Sequence, residues 1–79
     1  MRIERIPSAT IVLMTEDYIN FYEKDSKLLR YAYYSSDKGE LKACLLRAIK
    51  LDKPIDLLIE RLQKGKEFDY VVDAVIYSS

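Results

Sequence analysis

Histidine is absent from this chain of 79 residues, and Cys44 is its single cysteine. The chain therefore lacks the commonest general base and the commonest metal ligand in proteins. One cysteine forms no internal disulfide, and without histidine it builds no zinc site of the Cys/His type within one chain. Two glycines, Gly39 and Gly65, are too few for a glycine-rich phosphate loop. We expect no catalytic residues, no metal site and no cofactor, and hence a protein that is not an enzyme.

The chain also has no excess of either charge, because 13 basic residues balance 13 acidic ones. No overall field draws it to nucleic acid or to an anionic membrane. Its apolar runs are far shorter than the roughly 20 residues of a membrane-spanning helix. A composition that is 49% hydrophobic and 33% charged is typical of one globular domain, here 1–79. With no disulfide to form, we expect this domain to be cytoplasmic and to have no membrane partner.

Tyrosine, by contrast, is concentrated: five of the seven lie between positions 18 and 34. Two aromatic-rich runs, 17–24 and 27–35, flank Asp25-Ser26 and predict a β-hairpin. A turn at Asp25-Ser26 gives these cross-strand pairs: Tyr22 with Leu29, Asn20 with Tyr31 and Tyr18 with Tyr33 on one face, Phe21 with Arg30 and Ile19 with Ala32 on the other. The alternative for the first run is a helix that Thr15 caps and that ends at Lys24.

The remaining segments predict two further strands and two helices. The β-branched run 8–14 predicts a strand, which Pro7 precedes. Asp37 and Glu40 form a capping-box pattern at the start of a helix over 38–50, whose buried stripe comprises Leu41, Cys44, Leu45, Ala48 and Ile49. A second helix over 54–64, with Ile55, Leu58, Ile59 and Leu62 on one face, is expected to end at Gly65. Alternating residues predict a closing strand over 68–77, on which Asp69 and Asp73 are solvated charges that protect a sheet edge.

The order β-β-β-α-α-β predicts an α+β fold, a four-stranded and mostly antiparallel sheet with two helices packed on one face. Both faces of the hairpin carry apolar residues, so the helices leave one face uncovered. We expect the uncovered face to be a protein interface formed by Tyr18, Tyr22, Leu29, Tyr31 and Tyr33. The alternative places these tyrosines under the helices and exposes Ile19, Phe21, Leu28 and Tyr34 instead.

Either assignment predicts a small protein-binding module that pairs with itself as a homodimer, with an unidentified protein, or with both. A narrower hypothesis is an inhibitor of a host enzyme or defence complex, encoded by a virus such as a phage or by a mobile element. The alternative function is nucleic-acid binding or regulation. It uses the hairpin tyrosines and the basic side chains of the first helix, Lys38, Lys42, Arg47 and Lys50. Cys44 is expected to be a buried structural residue.

Overall fold

The computed structural model describes residues 2–76, which form five strands and one helix. The elements are β1 (Arg2–Met14), β2 (Tyr18–Tyr22), β3 (Leu29–Tyr33), α1 (Gly39–Leu51), β4 (Ile55–Lys64) and β5 (Lys66–Ile76). The strands close into a barrel in the order β1-β2-β3-β5-β4. Neighbouring strands are antiparallel except β3 and β5, which run parallel. The predicted four-stranded sheet with two helices is therefore wrong.

The largest correction concerns residues 55–64, which form β4 and not a second helix. Ile55, Leu57 and Ile59 are buried, with half-buried residues between them, which is the alternation of a strand. The same run also places apolar residues at helical spacing, so its pattern fits both periods. Long ladders with β1 on one side and β5 on the other stabilise the strand.

β1 is longer than the predicted strand 8–14, because it serves two neighbours. Its first part pairs with β4 and its second part pairs with β2. The ladder to β4 shifts register between Ile6 and Ala9, where Ser8 takes a φ of 54°. Pro7 lies in this irregularity, which tolerates its missing N–H. The Ser8 N–H donates instead to Oδ1 of Asp56, at 3.0 Å.

The predicted β2–β3 hairpin and its register are confirmed, since all five predicted cross-strand pairs are present. The turn itself differs from the expected one. The N–H of Ser26 donates to the carbonyl of Glu23 at 3.1 Å, and Asp25 takes a left-handed φ of 61°. The alternative helix over 15–24 is wrong. The Thr15 hydroxyl instead accepts from the N–H groups of Asp17 and Tyr18 in the turn that precedes β2.

α1 packs against β1 and β5 through Leu41, Leu45 and Ala48, which are buried. The predicted capping box is wrong, because Lys38 occupies the N-cap position and no side chain caps it. Cys44 is only half-buried and Ile49 is exposed, so the buried stripe is narrower than predicted. Among residues 2–76, no helix is long and apolar enough to cross a membrane.

Inside the barrel lies one cluster of buried apolar side chains, to which all five strands and the helix contribute. The side chains of β5 alternate between buried and exposed positions as predicted in only part of the strand. The reason is that the ladder between β5 and β4 shifts register between Leu58 and Ile59. Val71 is buried before this shift, whereas Ala74 and Ile76 pack on the core after it. Tyr77 lies outside the described residues. The strand order, with the helix between β3 and β4, is the topology of the OB-fold, a five-stranded Greek-key barrel.

Candidate functional site: an aromatic face on the barrel

The outer surface of the β2–β3 hairpin carries the tyrosines. Ile19, Phe21 and Ala32 are fully buried on the inner surface, so their sequence neighbours project outward. Tyr31 is 53% exposed and Tyr33 is 38% exposed, while Tyr18 and Tyr22 are half-buried. The alternative that placed the tyrosines in the core is therefore wrong. Of the predicted interface residues, Leu29 is also exposed, and the assignment of all five to a protein interface stays a prediction.

Four rings form a connected cluster, which we call the aromatic face: Tyr18, Tyr31, Tyr33 and Phe68. Tyr31 and Tyr33 lie 5.9 Å apart between centroids, and Tyr18 lies 6.3 Å from each of them. Phe68 of β5 lies 5.7 Å from Tyr33. All four contacts are edge-to-face, the geometry that the ring quadrupole favours. The exposed rings are thus held in fixed orientations before any ligand arrives.

A groove of about 560 Å³ lies between the aromatic face and the β4–β5 turn. It is lined by Asp17, Tyr31, Tyr33, Tyr34, Lys64, Lys66, Glu67, Phe68 and Tyr70. Lys64 and Lys66 are backbone partners in the β4–β5 ladder, on either side of Gly65. Neither side chain forms an ion pair with another residue of the range 2–76. Glu67 is 3.4 Å from the Arg61 guanidinium, which offsets its charge. Within residues 2–76, the groove therefore presents two unpaired ammonium groups and the carboxylate of Asp17 beside exposed rings.

A second hollow, of about 320 Å³, is lined by Tyr18, Asn20, Tyr31 and Tyr33. Because Tyr31 and Tyr33 line both this hollow and the groove, the two are neighbours. Together the groove and the second hollow are lined by aromatic rings of β2, β3 and β5.

The structure does not bring the predicted basic helix residues to the aromatic face. Lys38, Lys42, Arg47 and Lys50 lie on or beside α1, which packs on β1 and β5, and none of them lines the groove or the second hollow. Lys64, Lys66 and Phe68 take their place, and sequence reasoning missed them. The signal was present, because Lys-Gly-Lys between two alternating runs is a hairpin pattern once 55–64 is taken as a strand.

A group of charged side chains, with at least one from every strand or its end, meets around Arg30 and Asp69. The Arg30 guanidinium, on the inner side of β3, donates to Glu4 at 3.3 Å, Glu23 at 3.2 Å and Asp69 at 3.0 Å. It also lies 5.7 Å from the centroid of the Phe21 ring. Arg61 Nε donates to the other oxygen of Asp69 at 2.9 Å. We call the six charged residues the charged cluster: Glu4, Glu23, Arg30, Arg61, Glu67 and Asp69.

Hydrogen bonds within the charged cluster favour the charged forms of Arg30 and Asp69. Burial lowers the pKa of Arg30, but the hydrogen bonds to Glu4, Asp69 and Glu23 together raise the pKa by more, so the net shift is upward. Burial raises the pKa of Asp69, but hydrogen bonds from Arg61 and Arg30 lower it below its ordinary value. The prediction that Asp69 is a solvated edge charge is wrong, because barrel closure brings β3 against β5. Asp73 is exposed, as predicted.

The charged cluster has a structural reason to exist at this place. The parallel β3–β5 ladder contains a single residue pair within 2–76, Tyr33 with Tyr70. The Arg30–Asp69 ion pair joins the same two strands where backbone pairing is missing. It therefore helps to fix β3 relative to β5, and with it the rings of Tyr33 and Phe68.

Other groups with potential chemistry are placed as structural residues. The Cys44 thiol is half-buried and lies 3.5 Å from the carbonyl oxygen of Ala74. Burial raises its pKa, which keeps the thiol protonated and a poor nucleophile. Within residues 2–76, no group of three or more histidine, cysteine, aspartate or glutamate side chains is placed to hold a metal ion.

No family model, curated protein or solved structure matches this chain. The OB-fold topology therefore rests on the strand order and on the position of α1 alone. The function has to be argued from the aromatic face and its surroundings.

Proposed function

We propose that this protein binds single-stranded nucleic acid along the aromatic face. The observation that carries the proposal is the position of Tyr31 and Tyr33, exposed between two hollows and beside the unpaired ammonium groups of Lys64 and Lys66. Proteins that bind single strands combine aromatic rings, on which bases stack, with cations that contact the backbone. Both parts of that combination are present here on one surface.

The fold supports the same surface by analogy. In OB-folds the face of strands 2 and 3, together with the β1–β2 and β4–β5 loops, binds oligonucleotides or oligosaccharides. In this chain that face carries the tyrosines, and the β4–β5 turn carries Lys64 and Lys66. A shared fold does not determine a function. The analogy adds weight because the side chains at this position suit the ligand.

The neutral charge of the chain sets the character of the binding. A ligand that contacts two lysines releases few counterions, so its affinity depends only weakly on salt. For single strands, the slope of log affinity against log salt is about −0.7 per phosphate contact, and two contacts give about −1.4. We expect modest affinity that derives mainly from stacking, which is worth about 1–3 kcal/mol per base.

The test is a salt titration with a fluorescein-labelled thymidine octamer, a length within the roughly 4–16 nucleotides that one OB-fold covers. We predict a slope of about −1.4 for the wild-type protein and a slope near zero for Lys64→Gln/Lys66→Gln. The matched control, Lys42→Gln/Lys50→Gln, removes the same charge from α1 and keeps the wild-type slope. If only Lys42→Gln/Lys50→Gln reduced the slope, the oligonucleotide would bind at α1 and not at the aromatic face. Absence of binding at low salt would refute the proposal.

A protein partner, including a second copy of this chain, is the second candidate. Leu28 is 71% exposed and Leu29 is 49% exposed at the end of the hairpin beside Tyr31, and phosphate offers no favourable contact to leucine. The two candidates differ in salt dependence, because an interface held by leucine and tyrosine is not weakened by salt. A protein that binds no octamer at low salt but self-associates at every salt concentration in sedimentation would favour the protein partner. The narrower hypothesis of a virus- or mobile-element-encoded inhibitor stays a prediction, as does the cytoplasmic location.

A further inference from the structure

We propose that Asn20 selects the base, and that the hollow of Tyr18, Asn20, Tyr31 and Tyr33 takes one unpaired adenine. This inference rests on the proposed function and names the part of the ligand that the hollow recognises. Its volume of about 320 Å³ lies at the lower end of the range of small-molecule sites. It has room for one planar base.

The position of Asn20 is fixed by the strands on both sides. It pairs with Leu13 of β1 and with Tyr31 of β3, between the fully buried Ile19 and Phe21. Alternation therefore directs its side chain outward, onto the surface that carries the tyrosines. Three rings and one carboxamide line the hollow, and the carboxamide is its single group that both donates and accepts through fixed atoms.

The Asn20 carboxamide has no hydrogen-bond partner in the part of the chain that the structure describes. Its N–H₂ group and its oxygen are free to bond a ligand, although the residue is half-buried among rings. The Thr15 hydroxyl, in the turn before β2, instead bonds three backbone groups. An unused donor and acceptor pair between stacking surfaces suits the edge of a base.

Adenine is the base whose edges suit a carboxamide best. Asparagine pairs with adenine through two hydrogen bonds, donating to a ring nitrogen and accepting from the exocyclic amine. Adenine offers that combination on both its Watson–Crick and its Hoogsteen edges, so either orientation in the hollow satisfies the carboxamide. Guanine offers a donor beside an acceptor only on its Watson–Crick edge, through N1–H and O6, because its Hoogsteen edge presents two acceptors. Cytosine and thymine also offer a donor beside an acceptor on one edge only. Their smaller rings also cover less of the tyrosine surface.

The experiment measures anisotropy with thymidine octamers whose central nucleotide is adenine, cytosine, guanine, thymine or abasic. A parallel uridine series with the same central substitutions separates DNA from RNA. We expect the wild-type protein to prefer a central adenine by roughly tenfold, in line with the discrimination that one bidentate pair gives. Asn20→Ala removes the preference. Asn20→Asp shifts it to guanine, because a carboxylate only accepts and guanine offers two adjacent N–H donors.

Lys42→Gln on α1 is the control and keeps the wild-type order of bases. Far-UV circular dichroism and the midpoint of thermal unfolding establish that the Asn20 variants fold. Equal affinity of the wild-type protein for all five octamers, or an adenine preference that survives in Asn20→Ala, overturns the inference. In either case binding of the thymidine octamer leaves the proposed function standing. If the protein binds none of the oligonucleotides, the inference and the proposed function are both refuted.

Discussion

At the scale of single residues, the contact that organises the barrel is the ion pair of Arg30 and Asp69. Local pattern placed Arg30 opposite Phe21 on the inner face, where a charge is costly unless it is paired. The partner lies 39 residues away in sequence and becomes a neighbour only when the barrel closes. The predicted register placed Arg30 opposite Phe21, but the sequence did not identify Asp69 as its partner.

The low pKa of Asp69 makes stability depend on acid. In the unfolded chain Asp69 takes up a proton near its ordinary pKa of 3.8, whereas in the folded protein it does so only at lower pH. The unfolded state therefore binds more protons as the pH falls towards and below that value. We predict that the free energy of unfolding of the wild-type protein decreases between about pH 5 and pH 3.

The ion pairs of Asp69 also predict the effect of Asp69→Asn, which urea unfolding at neutral and acid pH measures. Arg30 keeps its ion pairs with Glu4 and Glu23, so removal of this carboxylate costs about 1.5–3 kcal/mol at neutral pH, and the variant loses part of the acid dependence. The exposed Asp73→Asn is the matched control and changes stability by less than about 0.5 kcal/mol. An Asp69→Asn variant as stable as the wild-type protein at neutral pH would contradict the structural role of the pair.

At the scale of elements, the accuracy of prediction follows the range of the interactions. The β2–β3 register was predictable because a short turn and the alternation of side chains define it locally. β4 was not, because the run 55–64 fits both a helix and a strand, and its partners β1 and β5 are decided by the whole fold. The candidate site shows the same division: the tyrosines were identified from sequence, and the lysines of the β4–β5 turn were not.

The β4–β5 turn gives a direct test of the left-handed conformation at Gly65. Gly65 has a φ of +81°, and a Cβ at this position meets no atom within 4 Å. Gly65→Ala therefore adds backbone strain without a clash, and we predict a loss of about 1–2 kcal/mol in the free energy of unfolding. Gly39→Ala at the start of α1 is the control. Its Cβ also meets open space, and the helix propensity of alanine leaves stability unchanged or raises it by up to about 1 kcal/mol.

Equal effects of the two alanine substitutions, in chemical denaturation monitored by circular dichroism, would contradict the left-handed turn. A helix over 54–64 that ends at Gly65 would also place this glycine at a positive φ. The spectrum separates the two folds, because a 13-residue helix in a five-stranded barrel gives a signal dominated by strands.

At the scale of the whole molecule, the closed barrel explains why the outer tyrosines are available. In the predicted two-layer sheet, helices cover one face and leave the other. In the barrel, the inner faces of all five strands pack on one another, and α1 covers only the region of β1 and β5. Within residues 2–76, the helix leaves the outer surface of β2 and β3 uncovered. The expectation of an uncovered apolar face agrees with the exposed tyrosines, although the reason given for it was different.

The central claim is that this outer surface is where a single strand binds, and the most direct measurement of it is the affinity of Tyr31→Ala/Tyr33→Ala for the labelled octamer. The chain contains no tryptophan, so quenching of tyrosine emission provides an independent readout for the wild-type protein. Tyr31→Leu/Tyr33→Leu retains apolar volume and guards against loss of fold. Leu46→Ala/Ile49→Ala removes exposed apolar side chains from α1 and is the control.

We predict that both tyrosine variants fold and that each loses at least about tenfold in affinity, since stacking on one ring is worth about 1–3 kcal/mol. The α1 control binds as the wild-type protein does. Folded tyrosine variants with undiminished affinity for the octamer would contradict the account.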